Sequence, residues 1–244
     1  MKKNIPILWY DGDGDLPLSK YTYSNQLYDS CNLKDYENIT VIGPYEYNII
    51  DKVKKFVFVP YNLDYDNIPD IIPDKTNYEY ITTYVGNNFK RKHYSEYFEK
   101  LCKYGKVRVI GAGWSEQRKS NTKVNYEPSQ ILTRDQFSKI FKESLIGLYG
   151  VPKSCIKIGH YTLRISEYLI SGMYIVPEKL QHMVDKFPPN QIFLEDLMNE
   201  DKSDFLKDLS INYEKYVKEQ REFLKKTFDS NNYVKVYAEA LGLE

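Results

Sequence analysis

Residues 159–180 read GHYTLRISEYLISGMYIVPEKL, and this stretch decides the fold. An apolar helix over 162–171 is entered through Gly159–Thr162 and left through Gly172, and a strand, MYIVP (173–177), follows at once. Thr162 suits the N-cap, and the free backbone N–H groups of a first helical turn form a ready site for a phosphate. Leu163, Ile165, Tyr168, Leu169 and Ile170 bury the helix on most sides. Arg164, Glu167 and Ser171 interrupt the apolar surface and fall on one stripe at helical spacing. A charged stripe on a buried helix either lines a polar cavity or pairs with itself, and the sequence leaves both readings open.

On either side of this helix, strands and helices alternate. Upstream lie strand YITTYV (80–85), a helix over 91–104, strand KVRVIG (106–111), a helix near 134–143 and strand SLIGLYG (144–150). Downstream come strand QIFLE (191–195) and three closing helices, one over 213–228. In the helix at 91–104, Tyr94, Tyr97, Phe98, Leu101 and Cys102 recur at a 3.6-residue period, so one face packs on a sheet. The order is that of a doubly wound, mostly parallel sheet whose ligands sit beyond the carboxyl ends of its strands. The loops after Val85, Gly111 and Gly150 therefore surround one crevice. Nearer the N-terminus, IPILWY (5–10) reads as a buried first strand, with a helix over 19–30 and short strands NITVIG (38–43) and KFVFVP (55–60) behind it. The three prolines of YNLDYDNIPDIIPDKTN (61–77) break helix and strand alike, so this stretch reads as a linker.

With 244 residues, 42% of them apolar, the chain can bury an ordinary core. No run approaches the roughly 18 apolar residues of a membrane span, and the first fifteen residues carry three aspartates, so a membrane partner is not expected. Cys31, Cys102 and Cys155 form no CxxC pair, and no two of His93, His160 and His182 have metal-ligand spacing. Neither a disulfide framework nor a metal site is suggested, and a reducing, cytoplasmic compartment fits. Net charge is zero but segregated. Residues 1–87 hold eight basic and thirteen acidic side chains, 88–165 sixteen and six, and 166–244 ten and fifteen. The cationic middle third points to a polyanionic ligand, either a nucleotide diphosphate or a nucleic-acid backbone. Solvated basic helix faces are the plainer reading.

TLRISEYLISGMYIVPE resembles the R-x-x-E-x-x-x-x-G pattern that GT-B glycosyltransferases carry on the helix facing their nucleotide sugar. TTYVGNNFKRKHYSEYFEKL (82–101) is similar to that family's way into its C-terminal domain, and KVRVIGAGW (106–114) to its next strand and glycine turn. The resemblance covers about residues 55–200. It implies an α/β fold of two Rossmann-like units: a reduced acceptor-side unit over 1–77, a nucleotide-sugar unit with a doubly wound parallel sheet over 78–228, and a helix over 229–244 that packs back on the first. It also implies a nucleotide sugar, with UDP as the nucleotide, as co-substrate and no obligatory cofactor. Glu167 would hold the ribose. Arg91, Arg164 and the amides near Tyr161 and Thr162 would hold the diphosphate, and Gly86 and Asn87 would face the cleft. A second glutamate eight residues after the first is missing, since Ile175 stands there and the next acid is Glu178. The N-terminal region is about half the family's usual length.

Three readings of DGDGD (11–15) stay open. As a calcium loop it has Leu16 where glycine belongs and Thr22 where glutamate belongs. As the D-x-D of a haloacid-dehalogenase-type phosphatase it has Asp15 in place of a threonine and no later paired aspartates to hold magnesium. As a loop of the first Rossmann unit it offers Asp11 or Asp13 as catalytic carboxylate. A metal-binding D-x-D of the GT-A type needs a nucleotide-binding unit ahead of it, and only ten residues precede Asp11. His160 and Trp114, which follows the Gly111–Gly113 turn, complete the donor-side candidates, Trp114 by stacking on a base or sugar. The expected activity is glycosyl transfer to an acceptor hydroxyl. Small size, the reduced first unit, the cationic belt and a usage rich in Tyr (24), Lys, Asn and Ile, as from an AT-rich genome, suggest hydroxymethylated bases of phage DNA, with Lys119 and Lys123 as phosphate contacts and double-stranded DNA as partner. A glycan or small-molecule acceptor is the alternative.

Overall fold

The computed structural model describes residues 5–10, 35–46, 53–61, 63–70, 72–88, 93–114, 123–128 and 132–243. In chain order the elements begin with β1 (Ile7–Tyr10), β2 (Ile39–Gly43), β3 (Lys55–Phe58), β4 (Tyr80–Val85), α1 (Tyr94–Leu101) and β5 (Val107–Ile110). β6 (Val124–Glu127), α2 (Arg134–Lys142), β7 (Ser144–Tyr149), α3 (Lys153–Ile156), α4 (Arg164–Ile170) and β8 (Tyr174–Pro177) follow. The chain closes with α5 (Leu194–Asn199), α6 (Ser203–Ile211), α7 (Tyr213–Phe228) and α8 (Val234–Leu241). Two compact units result. The first takes residues 1–67, 151–163 and 225–244, the second residues 68–150 and 164–224.

In the first unit β1, β2 and β3 form a parallel sheet in that order. β2 lies in the middle and is buried from Thr40 to Gly43, whereas β1 lies at the edge of the described sheet. IPILWY is therefore half-exposed, with Ile7 and Tyr10 open, where its composition suggests a buried strand. Segment 44–46 runs against 159–161. Tyr45 bridges His160, and the Tyr161 amide donates to the Pro44 carbonyl at 2.7 Å.

The second unit holds a five-stranded, all-parallel sheet in the order β6-β5-β4-β7-β8. Its core joins Ile81, Val107, Val109, Leu145, Ile146 and Leu148 of the strands to Tyr94, Phe98 and Leu101 of α1. A parallel sheet must be covered on both faces, and α4 covers its part closely. Tyr168 lies over Gly147, where an added Cβ would stand 2.9 Å from the ring, and its hydroxyl donates to the Leu148 carbonyl at 3.0 Å.

Three parts of this unit depart from the sequence reading. β6 lies in a segment that reads as polar loop; its pairing with β5 is reinforced by a two-bond contact from Arg108 to Glu127 (2.7 and 3.0 Å). QIFLE is no strand: Gln191–Phe193 is irregular and Leu194 opens α5, where Asp196 accepts the Phe193 amide at 2.9 Å. The place of a further strand is taken by side chains. Gln220 accepts from the Ile175 amide (2.8 Å), and Gln220 and Gln191 both donate to the Ile175 carbonyl (2.8 and 3.0 Å).

The third departure is in the linker. Lys75 is completely buried, and its ammonium donates to the carbonyls of Phe141 (2.7 Å), Lys142 (2.9 Å) and Ser144 (2.5 Å). These are the end of α2 and the start of β7, where helix carbonyls have no intrahelical partner. Burial pushes the ammonium down to about 7, and the three carbonyls act against that by holding its proton. Lys75→Met keeps the chain length but removes the donor shared by the three carbonyls, of which Phe141 keeps the Glu143 amide, and this costs about 1–3 kcal/mol. The urea midpoint should fall accordingly at unchanged slope; an unchanged midpoint would show that the carbonyls find other donors.

Candidate functional site

From β4 the chain of the second unit moves outward to β5 and β6, then returns to the other side of β4 for β7 and β8. The direction of winding reverses between β4 and β7, and the carboxyl ends flanking such a reversal leave a crevice for a ligand. Around it the loops are braced by each other. The Asn87 side chain accepts from the Ala112 amide (2.9 Å), the Asn88 side chain donates to the Gly113 carbonyl (2.6 Å), and the Trp114 indole donates to the Gly86 carbonyl (2.6 Å). A Cβ at Gly111 would collide with the Gly86 carbonyl. The missing side chain at Gly111 thus lets the Gly86 carbonyl close on its loop. Trp114 does not stack on a ligand as its sequence context suggested. It is fully buried, edge-on to Tyr84 and Phe98.

α4 brings its polar stripe to this edge. The Arg164 guanidinium donates to the Val85 carbonyl, the last of β4, at 2.7 Å. It also pairs with Glu167 at 2.7 Å and lies over the Phe137 ring, 5.1 Å from its centroid. Glu167 and Ser171 line a cavity of about 550 Å³ between α4 and α2, together with Thr133, Phe137 and Ser138, a volume in the usual range for small-ligand sites. Arg164 and Glu167 pair with each other, and Glu167 and Ser171 line a cavity whose walls are more apolar than polar. The pair is a quarter to a third exposed (24% and 34%), and such pairs contribute only about 0–1 kcal/mol, so a ligand can take over either partner at little cost. The α2 wall is itself well fixed, since Thr133 and Gln136 cap its N-terminus reciprocally (3.3 and 2.9 Å).

Other candidates fall elsewhere. Asp11, Asp13, Arg91 and Lys119 lie outside the described residues. Tyr161, Thr162 and His160 belong to the first unit. The Tyr161 amide is engaged by Pro44 and its hydroxyl donates to Glu46 at 2.6 Å, so that amide is not open to a phosphate. α4 starts at Arg164, which leaves Thr162 one residue outside the cap position. His160 is buried, its ring 6.5 Å from both Tyr45 and Tyr61. Lys123 immediately precedes β6, at the amino edge of the sheet, opposite the crevice, and reaches the Cys102 carbonyl at 3.4 Å.

Two features of the second unit escape sequence reasoning. Phe137 looks like an ordinary core position of an amphipathic helix, and only the packing of α2 beside α4 turns it into a cavity wall. Glu178, directly after β8, is 4% exposed and stands 3.7 Å from the His93 imidazole. Eighty-five residues separate the two, and no spacing rule joins them.

The chain matches no family model and no curated protein by sequence. Solved structures share its fold. T4 phage BGT in complex with its UDP-glucose substrate is 14% identical with a TM-score of 0.58, over 97% of this chain and 74% of that one. An alpha-glucosyltransferase in complex with UDP and a 13-mer DNA containing a HMU base is 11% identical with a TM-score of 0.59, over 97% and 72%. A UDP-forming trehalose-phosphate synthase from Burkholderia xenovorans is 10% identical with a TM-score of 0.58, over 98% and 68%. These structures lend the phosphatase reading of DGDGD no support. The chain has the α/β fold of the two-Rossmann (GT-B) glycosyltransferases.

Proposed function

We propose that this chain is a glycosyltransferase that moves a sugar from a UDP-sugar to an acceptor hydroxyl, the acceptor being a hydroxymethylated base of phage DNA in the host cytoplasm. The donor half of the reading rests on one observation: Arg164 is tied to the last carbonyl of β4 at the winding reversal while its partner Glu167 faces a nucleoside-sized cavity. In this reading the ribose hydroxyls take Glu167 and the diphosphate takes Arg164, joined by Arg91 and by Gly86 and Asn87 of the crevice loop. The chemistry is stabilisation of the departing diphosphate by fixed positive charge, which needs no metal. A carboxylate of the acceptor side, Asp11 or Asp13, receives the acceptor proton; β1 ends at Tyr10, one residue before Asp11. Support for the fold's use of UDP-sugars and DNA comes from what two of the similar structures hold.

UDP should bind at sub-millimolar Kd, and Glu167→Ala should weaken it about tenfold, the loss of a hydrogen bond to a charged group; equal calorimetric affinity would remove Glu167 from the site. Transfer should persist in excess EDTA. A complete loss that magnesium restores would instead favour metal-assisted departure of the diphosphate.

Hydroxymethylated duplex DNA should bind with an affinity that falls as salt rises, by about two to four log units per log unit of salt. Of the ten excess charges of the cationic third, Lys106 and Arg164 are paired with Glu79 and Glu167 from outside it, and only charges that face the duplex can neutralise its phosphates. The slope should therefore be well below one expected from all ten excess charges. Lys123→Ala should leave it unchanged, because Lys123 lies at the amino edge of its sheet. Absence of DNA binding at low salt, in a protein that still binds UDP, would favour a glycan or small-molecule acceptor.

A further inference from the structure

The second flank of the winding reversal is the carboxyl end of β7, and there the chain carries a pair of ionisable groups that the donor reading above does not use. Gly150 follows β7 directly. A Cβ at this position would collide with both the Tyr94 hydroxyl and the Glu178 carboxylate, so the glycine is what lets those two groups close over the strand end. Glu178 is almost wholly buried, and a carboxylate removed from water needs a compensating charge or donor. His93 lies opposite it, Nε2 to Oε1 3.7 Å, at the residue that leads into α1, the helix following β4. His93 is less buried than its partner, 18% against 5% for the side chains, so the imidazole can meet a ligand that Glu178 cannot. Its ring packs on Tyr94 (4.7 Å) and stands edge-on to Tyr97 (5.8 Å).

Two opposing fields act on this imidazole. The N-terminus of α1 disfavours a cation and favours an anion. The Glu178 carboxylate favours the cation. An anion placed at the helix start would satisfy the helix end and add to Glu178 in favouring the imidazolium. We propose that His93, backed by Glu178, is a ligand of the donor diphosphate and takes up a proton as that diphosphate binds. The pair then does on the β7 side what Arg164 does on the β4 side: it meets the negative charge that grows as the sugar leaves. The proposal rests on the donor reading given above and adds to it a site and a linked proton.

Among the described residues, Tyr94 and Tyr97 touch the imidazole, Glu178 faces it, and Glu195 and Glu96 act with Glu178 on Tyr97, while Glu195 accepts the Lys179 amide at 2.8 Å. A bound diphosphate shifts the imidazole towards its charged form. UDP-glucose is a suitable probe because its phosphates do not titrate near neutrality, so any proton taken up belongs to the protein. Calorimetry in phosphate and in Tris, whose ionisation enthalpies differ, reads that proton directly. The wild-type chain should take up a fraction of a proton between pH 7 and 8.5, and His93→Gln should take up none and bind about tenfold more weakly. Glu178→Gln keeps the shape of the partner without its charge and should move the uptake to lower pH. Proton uptake that is the same in wild type and His93→Gln, with both folded and both binding UDP-glucose, overturns the role of His93 and leaves the donor reading intact. Absence of UDP-glucose binding by the wild-type chain overturns both.

Discussion

A lysine with no access to water holds the second unit in shape. Lys75 gathers three carbonyls where α2 ends and β7 begins, and α2 is the helix that forms one wall of the cavity beside Glu167. A charge in such a place is costly unless its hydrogen bonds are complete, and here three backbone carbonyls complete them. The ring of Tyr213, 5.6 Å from the ammonium, and the thioether of Met173 close the remaining side. The contact thus fixes the direction in which α2 leaves the sheet and, through α2, the width of the cavity.

The fold was legible where local periodicity and burial agree. β4, β7 and α2 fall within a residue of their expected bounds because an apolar run bounded by glycine or by a capping threonine has one reading. It was not legible where tertiary partners override composition. Val124 and Tyr126 turn a polar stretch into β6 only because β5 offers an open edge beside it. QIFLE has the composition of a strand, but Gln191 and Gln220 already satisfy the outer backbone of β8, leaving no pairing partner for it. Lys75 sits among prolines that signal a linker, and nothing local marks it as the most deeply buried lysine of the unit.

The site divides the same way. Arg164, Glu167 and Ser171 share a stripe by helical geometry alone, so the Arg164–Glu167 pair and the shared cavity wall of Glu167 and Ser171 could be read from spacing. Trp114 and Tyr161 could not be placed from spacing, because what removes them from ligand contact is the Gly86 carbonyl in one case and Pro44 and Glu46 in the other. His93 and Glu178 come together through the fold across β7, a distance in sequence that no motif spans.

Charge shows most clearly how a linear reading and a spatial one part. Residues 88–165 carry ten more basic than acidic side chains, yet the strands of this segment run in parallel, so its charges are dealt to both edges of one sheet. Arg164 reaches the carboxyl edge and Lys123 the amino edge, while Arg108 is held between two glutamates from β6 and the end of α2. A polyanion meets only the fraction that faces it and is not already paired. For a diphosphate that fraction needs to be small and fixed. For a DNA backbone it must be spread over several phosphate spacings. The two demands therefore fall on different surfaces, and a single cationic belt along the sequence does not meet both.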